Sequence, residues 1–302
     1  MGICVIGSLN MDLVVRVKEI PKKGETVIGK DFSTVPGGKG ANQAVAASRL
    51  GAKTFMIGKV GDDSFAKNLK ESLSSSNVDI KGLQEEKNLP TGVALISVDE
   101  HGGNSIIVAP GANFEMRKED IDKNMSLIED SKIVVLQHEI PIETVSYALA
   151  AAKSKGKITV LNPAPADEVS LEALKGLDFI IPNEHELETL CKQKITDEKS
   201  MIEGAKSLIE KGVKNVIITL GEKGCLHVTA SESINYDAFK VVAVDTTAAG
   251  DSFIGGFCAN YLKTGDIKAA IVFGQKTAAL SVTKYGAQSS IPTIEEFEEF
   301  WR

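Results

Sequence analysis

The run IVVLQ at Ile133–Gln137 is apolar at successive positions, not at alternate ones, and NVIIT at Asn215–Thr219 repeats the pattern. A strand of this kind has both faces covered, the mark of a mainly parallel sheet with helices on each side. Outward from these runs, further strands are expected at Ile3–Ile6, Thr54–Lys59, Ile158–Asn162 and Phe179–Ile181. Helical patterns alternate with them at Lys39–Leu50, Ser64–Ser74, Ile142–Lys153, Leu171–Leu174 and Ser200–Lys211. Helices at Asp251–Tyr261, Ile267–Thr283 and Ile294–Phe300 close the chain. The fold class is therefore α/β, a three-layer α/β/α sandwich. Two segments break the rhythm. Asp12–Val35 has few helical cues, and GVALISV and NSIIV flank Glu100–His101–Gly102–Gly103 as a hairpin. The expectation is one domain over 1–302, with a small β-sheet from about 12–36 and 91–108 serving as a lid or a dimer contact.

The 302 residues suffice for a large core without staples, and 43% hydrophobic with 25% charged residues excludes a disordered chain. The formal charge is −7, from 34 Lys+Arg against 41 Asp+Glu, which disfavours nonspecific nucleic-acid binding. It leaves room for an anion site built from backbone N–H groups, which adds nothing to net charge. No apolar run approaches the roughly 20 residues of a membrane helix. The opening MGICVIGSLNMDLVV lacks a basic stretch and reads as a buried strand, not as a signal peptide or an acylation site. Cys4, Cys191, Cys225 and Cys258 are scattered among apolar residues and read as buried, reduced thiols, so a cytoplasmic protein is expected.

The most informative segment for chemistry is VVAVDTTAAGDSFIGG, Val241–Gly256. An apolar strand is expected to end at Asp245, and small residues then lead through Asp251 into a helix. Helix starts offer free N–H groups and favour anions, and small residues let the backbone approach a ligand. A carboxylate beside such a site either complements the helix dipole or takes a proton from a nucleophile. There is no G-x-x-x-x-G-K-[ST] loop, and GGKGANQ lacks the third glycine of a dinucleotide fingerprint.

DTTAAGDSF resembles the C-terminal signature of the carbohydrate-kinase family typified by ribokinase. GGKGANQAVAASRLG at Gly37–Gly51 resembles its N-terminal signature, and GSLNMDLVV, VGDDSFAKNL and KYGAQSSIPT match at the expected spacings. The resemblance runs essentially end to end. It implies ATP-dependent phosphorylation of a sugar, D-ribose at its 5-hydroxyl being the best match. It also implies a lid made of the extra strands, through which two copies pair. Asp251 becomes the base, and the N–H groups of Ala248, Ala249, Gly250 and Asp251 the anion hole. Asp251 works late, because an aspartate of pKa about 3.9 is a weak base toward an alcohol. Asn10, Asp12, Gly38, Lys39, Asn42 and Glu139 are implied to hold the sugar, whose hydroxyls need both donors and acceptors. Asn183, Glu186, Thr219, Gly221, Gly224, Gly250 and Gln275 are implied at the nucleotide, with Mg²⁺ arriving on ATP. Asp245, Thr247, Ser281, Gly286 and Ser290 are implied around K⁺, mostly through carbonyls, with Ser281 standing where the family has Ala.

Blander readings stand beside these. Asn183 with Glu186 has the spacing of a capping box. Asn10, Asp12 and Gly37–Lys39 read as turn residues and Glu139 as a loop acid. Ala94 and Ile96 suit lid packing as well as a sugar wall, His138 a structural role, Lys22–Lys23 a solvated turn, and Trp301 a packing anchor. A kinase of deoxyribose, a ketohexose or a nucleoside, and a non-catalytic sensor on the same scaffold, remain alternatives.

Overall fold

The computed structural model describes residues 1–101 and 103–302; Gly102, part of the expected hairpin turn, lies outside the described residues. The chain opens with β1 (Gly2–Ile6), β2 (Asn10–Arg16), β3 (Asp31–Gly37), α1 (Lys39–Arg49), β4 (Thr54–Gly61) and α2 (Ser64–Ser75). β5 (Val78–Glu86), β6 (Gly92–Val98), β7 (Asn104–Ala109), α3 (Lys118–Lys123) and α4 (Met125–Glu129) follow. The middle alternates β8 (Ser131–Leu136), α5 (Ile142–Ser154), β9 (Ile158–Leu161), α6 (Leu171–Leu174) and β10 (Phe179–Ile180). Next come α7 (Glu184–Cys191), α8 (Glu198–Glu210), β11 (Asn215–Thr219), β12 (Cys225–Val228) and β13 (Ser233–Tyr236). α9 (Ala249–Thr264), α10 (Ile267–Ser281) and α11 (Ile294–Phe300) complete it.

Among the described residues, nine strands make the large sheet, in the order β13-β12-β11-β10-β9-β8-β1-β4-β5. β5 through β11 pair in parallel, and β12 and β13 form an antiparallel edge. Successive residues of one strand feed opposite cores. Ile3, Val5, Ile133 and Val135 join Val45, Leu69, Phe257 and Ile271 of α1, α2, α9 and α10. Cys4, Ile6, Val134 and Leu136 join Ile121, Leu149, Leu187 and Leu208 of α3, α5, α7 and α8. This is why the strands are apolar without alternation, and each such fully buried side chain stabilises by about 1.5–3 kcal/mol. All the cysteines are free and buried. Trp301 packs edge-on against Phe239 and Phe300 and holds the last helix down.

The two irregular segments meet as a separate sheet of order β3-β2-β6-β7. Its centre is the parallel pair β2–β6, with Asn10 opposite Gly92 and Asp12 opposite Ala94. The strand β2 thus begins two residues before the expected segment, so that Asn10 and Asp12 lie at the junction of the two sheets. Among the described residues no helix is long and apolar enough to cross a membrane.

One expected element is absent. Val241–Asp245 is not a strand. β13 ends the sheet at Tyr236, and among the described residues no strand pairs with the chain beyond it. The N–H groups of Val244 and Asp245 instead converge on the Val282 carbonyl, at 2.7 and 3.2 Å, and Val242 is 84% exposed. A β-branched run pairs only where a partner edge exists. The helix after it starts earlier than expected, at Ala249, so Ala249 and Gly250 lie inside its first turn. β5, β12 and β13 were not apparent in the sequence pattern.

Candidate active site

Helix α1 leaves β3 through Gly38, whose φ of 89° and close packing leave no room for a side chain. A Cβ there would lie 2.6 Å from the Asn10 nitrogen. The first turn of α1 then carries Lys39, Asn42 and Gln43, which share a helix face at i, i+3 and i+4. That face meets α9, because Gly255 lets the two helices touch: a Cβ on it would sit 2.3 Å from the Ala46 Cβ. The contact brings together groups far apart in sequence. Asn42 Nδ2 donates to Asp251 Oδ2 at 2.9 Å, and Gln43 Nε2 donates to Asp251 Oδ1 at 2.9 Å. Asn42 Oδ1 is buried and, among the described residues, has no partner.

Beside them, Glu139 Oε2 accepts from Ser8 Oγ at 2.5 Å, from the Lys39 N–H at 3.1 Å and from Asn10 Nδ2 at 3.4 Å. Asn10 Oδ1 accepts from Asn113 Nδ2 at 2.8 Å, and Asn113 also bonds both main-chain groups of Leu9. Asp12 is buried two residues further along β2. Asn10, Asp12, Gly38, Lys39, Asn42, Glu139 and Asp251 therefore form one polar neighbourhood. Ser8, Gln43, Asn113, Gln137 and Asn162 belong to it as well and are not among the candidates taken from the sequence. Ala94 is buried and Ile96 half-buried on β6, beside Asp12 and Val14.

The electrostatics are lopsided: Asp251, Glu139, Glu186 and Asp12 surround a single ammonium. Burial pushes the Lys39 pKa down, but these carboxylates outweigh it, and the value lies above that of ordinary lysine. Asp12 is pushed up to about 7, chiefly by burial, then by Glu139 and Asp251, with Lys39 opposing. Burial also raises Asp251, against the pull of Lys39 and of the two amides, with Glu139 adding to the rise. Glu186 is raised by burial, partly offset by the Asn183 N–H and Lys39.

Asn183 and Glu186 form a complete capping box at the start of α7, with the Asn183 N–H donating to Glu186 Oε2 and the Glu186 N–H to Asn183 Oδ1, both at 2.8 Å. They also line a cavity of about 250 Å³ with Lys39, Thr219, Ala248, Ala249, Gly250 and Asp251. A larger cavity of about 800 Å³ adjoins it, sharing Thr219, Thr246, Ala249 and Gly250. Gly221, Gly224 and Gln275 line the larger one, with Phe239 and Val241 from the unpaired segment. Its size suits a small molecule with an aromatic or apolar part. The Gln275 amide donates to the Tyr236 carbonyl at 3.0 Å, which leaves its oxygen for a ligand.

Where the cavities meet, Ala248 adopts φ 59°, the left-handed region that L side chains enter at a cost of about 1–2 kcal/mol. The turn sends the Ala249 N–H back to the Thr246 carbonyl at 3.2 Å. Among the described residues, the N–H groups of Ala248, Gly250 and Asp251 have no protein acceptor. Backbone strain and unpaired N–H groups on residues that line a cavity are the arrangement expected of an anion site.

On the other side of that turn, Asp245 Oδ1 accepts from the Thr247 N–H at 2.9 Å and its hydroxyl at 2.6 Å. Oδ2 accepts from the Gly286 N–H at 2.9 Å. Burial opposes ionisation of Asp245, but these donors and Arg16 outweigh it and hold the carboxyl below its usual range. An ionised carboxylate, a threonine hydroxyl and nearby carbonyls are all hard oxygen donors, which fits a monovalent cation. The Ser281 and Ser290 hydroxyls donate to the Ala278 and Ala287 carbonyls, both at 2.9 Å. His138 is buried, and burial lowers its pKa.

A cluster of buried and half-buried polar side chains thus lies beside two adjoining cavities that share an amide-lined turn, on a mainly parallel sheet with a second small one. Residues 2–294 match the pfkB family of carbohydrate kinases, and the chain belongs to that family. It is 43% identical over 296 residues to a ribokinase of Haemophilus influenzae, covering 98% of this chain and 97% of that one. It is 42% identical over 301 residues to a deoxyribokinase of Salmonella typhi, covering 99% and 98%. The solved structure of Arabidopsis thaliana ribokinase complexed with ribose and ATP superposes with a TM-score of 0.93 at 30% identity, covering 100% of this chain and 98% of that one.

Proposed function

We propose that this chain transfers the γ-phosphoryl group of ATP to the 5-hydroxyl of D-ribose, giving ribose 5-phosphate and ADP. The observation that carries this is Asp251: a buried carboxylate with both oxygens held by amides, at the floor of the smaller cavity and one residue past the unpaired N–H of Gly250. The ribokinase relatives and the ribose–ATP complex of a structural neighbour support ribose and ATP as substrates.

The sugar hydroxyls pair with Asn10, Asp12, Lys39, Asn42 and Glu139, and the orphaned Asn42 Oδ1 supplies a buried acceptor for one of them. As the 5-oxygen bonds to phosphorus, its proton passes to Asp251 and the bond from the γ-phosphorus to the bridging oxygen breaks, leaving ADP. The N–H groups of Ala248, Gly250 and Asp251 stabilise charge on the transferred group, and Lys39 adds a fixed cation. The adenine lies in the larger cavity beside Gly221, Gly224 and Gln275. Mg²⁺ on the ATP phosphates and K⁺ near Asp245 would supply further positive charge. Glu186 and Asn183 would orient the former's waters, and Asp245, Thr247, Gly286 and the Ser281 and Ser290 carbonyls would hold the latter.

The separate sheet, about 12–36 and 91–108, acts as a lid on a single domain of 1–302. Its exposed Phe32, Leu95, Ile106 and Ile107 support pairing of two copies through it. A cytoplasmic location accords with the buried, unpaired cysteines. Deoxyribose is the second reading, favoured by the near-equal identity to the deoxyribokinase. A coupled assay of ribose, deoxyribose, fructose and adenosine with ATP tests both. Ribose should give the highest kcat/KM, and turnover of none of the four would overturn the kinase reading.

A further inference from the structure

We propose that Gln43 is a positioning residue for the phosphoryl transfer: its amide fixes the plane of the Asp251 carboxylate, and Gln137 and Asn162 in turn fix the amide. The inference rests on the reading of Asp251 as the base.

Every bond in this chain of contacts has one direction. Asn162 Nδ2 donates to the Ile181 carbonyl at 3.1 Å, so Asn162 Oδ1 faces Gln43 and accepts from its Nε2 at 3.2 Å. Gln137 Nε2 donates to Gln43 Oε1 at 2.7 Å. With an acceptor on either side of its nitrogen and a donor against its oxygen, the Gln43 amide has one satisfied orientation, and in it Nε2 reaches Asp251 Oδ1 at 2.9 Å. Gln43 is 1% exposed and Gln137 is fully buried, so water does not compete for these bonds.

The anchors are stiff. Gln137, Asn162 and Ile181 each directly follow one of the neighbouring strands β8, β9 and β10. The amide therefore transmits the geometry of the central sheet to a side chain on α9. Asn42 alone would leave the carboxylate free to rotate about its Cβ–Cγ bond. A second donor on the other oxygen stops that rotation. A carboxylate has about four lone-pair sites, and the two amides take one on each oxygen. Sites remain on each oxygen, and Asp251 lines the cavity from which a hydroxyl proton must arrive.

The test is Gln43→Met, which keeps the volume and removes the amide. Loss of a donor to a buried carboxylate should lower kcat about 10–100-fold, with KM for ribose within about threefold. The acid limb of the kcat–pH profile should move up by about one pH unit, since a base with one donor fewer holds its proton more tightly. Wild-type kcat with an unmoved acid limb would overturn the proposal. So would a loss carried entirely by KM. Should Gln43→Met fail to fold, Gln137→Met frees the amide from one step further back. It should lower kcat about 3–10-fold with the same upward move of the acid limb, and no change in it overturns the proposal equally. Asp251→Asn is run alongside. Full turnover in that variant removes the base itself, whereas an inert Asp251→Asn beside an unaffected Gln43→Met refutes only the role of Gln43.

Discussion

The polar cluster around Lys39, which reaches the smaller cavity through Lys39 and Asp251, and the larger cavity beside α9 are built in opposite ways. The first is made of side-chain charge and amides, with Asp12, Asp251, Asn10 and Asn42 buried and Glu139 and Lys39 half-buried. The second is made of backbone and apolar surface: Gly221, Gly224, Ala249, Gly250, Phe253, Ala278 and Val282. A site of charged side chains discriminates, because each unmatched buried group costs a few kcal/mol. A site of main-chain N–H groups accepts whatever anion fits the turn, and side-chain substitutions erase little of it. The difference predicts where mutations act and how strongly.

The largest effect belongs to Asp251→Asn. It should lower kcat by about 100–10,000-fold while ribose still binds, as measured by steady-state kinetics and calorimetry, because only the proton acceptor is lost. Unchanged kcat would remove the chemical distinction between the two sides.

A smaller effect concerns pH. The Asp12 carboxyl has a pKa of about 7 in the folded chain, above the roughly 3.9 of an unfolded one. Folding therefore favours its protonated form. Its contribution to stability is fully present below about pH 4 and is lost as pH rises through about 7. Burial raises it most, Glu139 and Asp251 add to the rise, and Lys39 opposes it. Sugar hydroxyls that donate to the carboxylate favour the ionised form, so KM for ribose should rise as pH falls below 7, by up to tenfold per unit. Asp12→Asn should raise KM and flatten this dependence. KM for ATP, on the backbone side, should not share it. Parallel pH profiles for the two substrates would erase the contrast.

The smallest effect tests the turn. Ala248→Gly removes the left-handed strain at φ 59° and should stabilise the chain by up to about 1 kcal/mol in denaturant titration. It should also lower kcat a few-fold, since a looser turn holds its N–H groups less firmly. Destabilisation would mean that the Ala248 side chain contributes packing on the cavity side.

How much of this was legible in the sequence differs between the two sides. IVVLQ and NVIIT gave away the parallel sheet because two-sided burial leaves an unbroken apolar run. VVAVD has the same look and no strand beside it, and nothing within a short window reports a missing neighbour. The signatures GGKGANQ and DTTAAGD pointed to the residues that line the pocket and the turn. Gln43 was within reach, since it shares the face of Lys39 and Asn42 one turn into α1. Asn113, Gln137 and Asn162 were not. Each is a lone amide in a different segment, and only the packed fold makes them neighbours.

The contact made possible by Gly255 joins residues 209 positions apart, Asn42 and Asp251. It follows that the two halves of this catalyst do not exist separately. A chain emerging from the ribosome completes α1 and the sugar-side charges long before α9 is made, and Lys39 then lacks one of the carboxylates around it. An unfinished or clipped chain that lacks α9 has neither Asp251 nor the full turn that leads to it, the groups proposed for phosphoryl transfer. On the proposed mechanism, the tight helix crossing makes activity depend on both ends of the polypeptide.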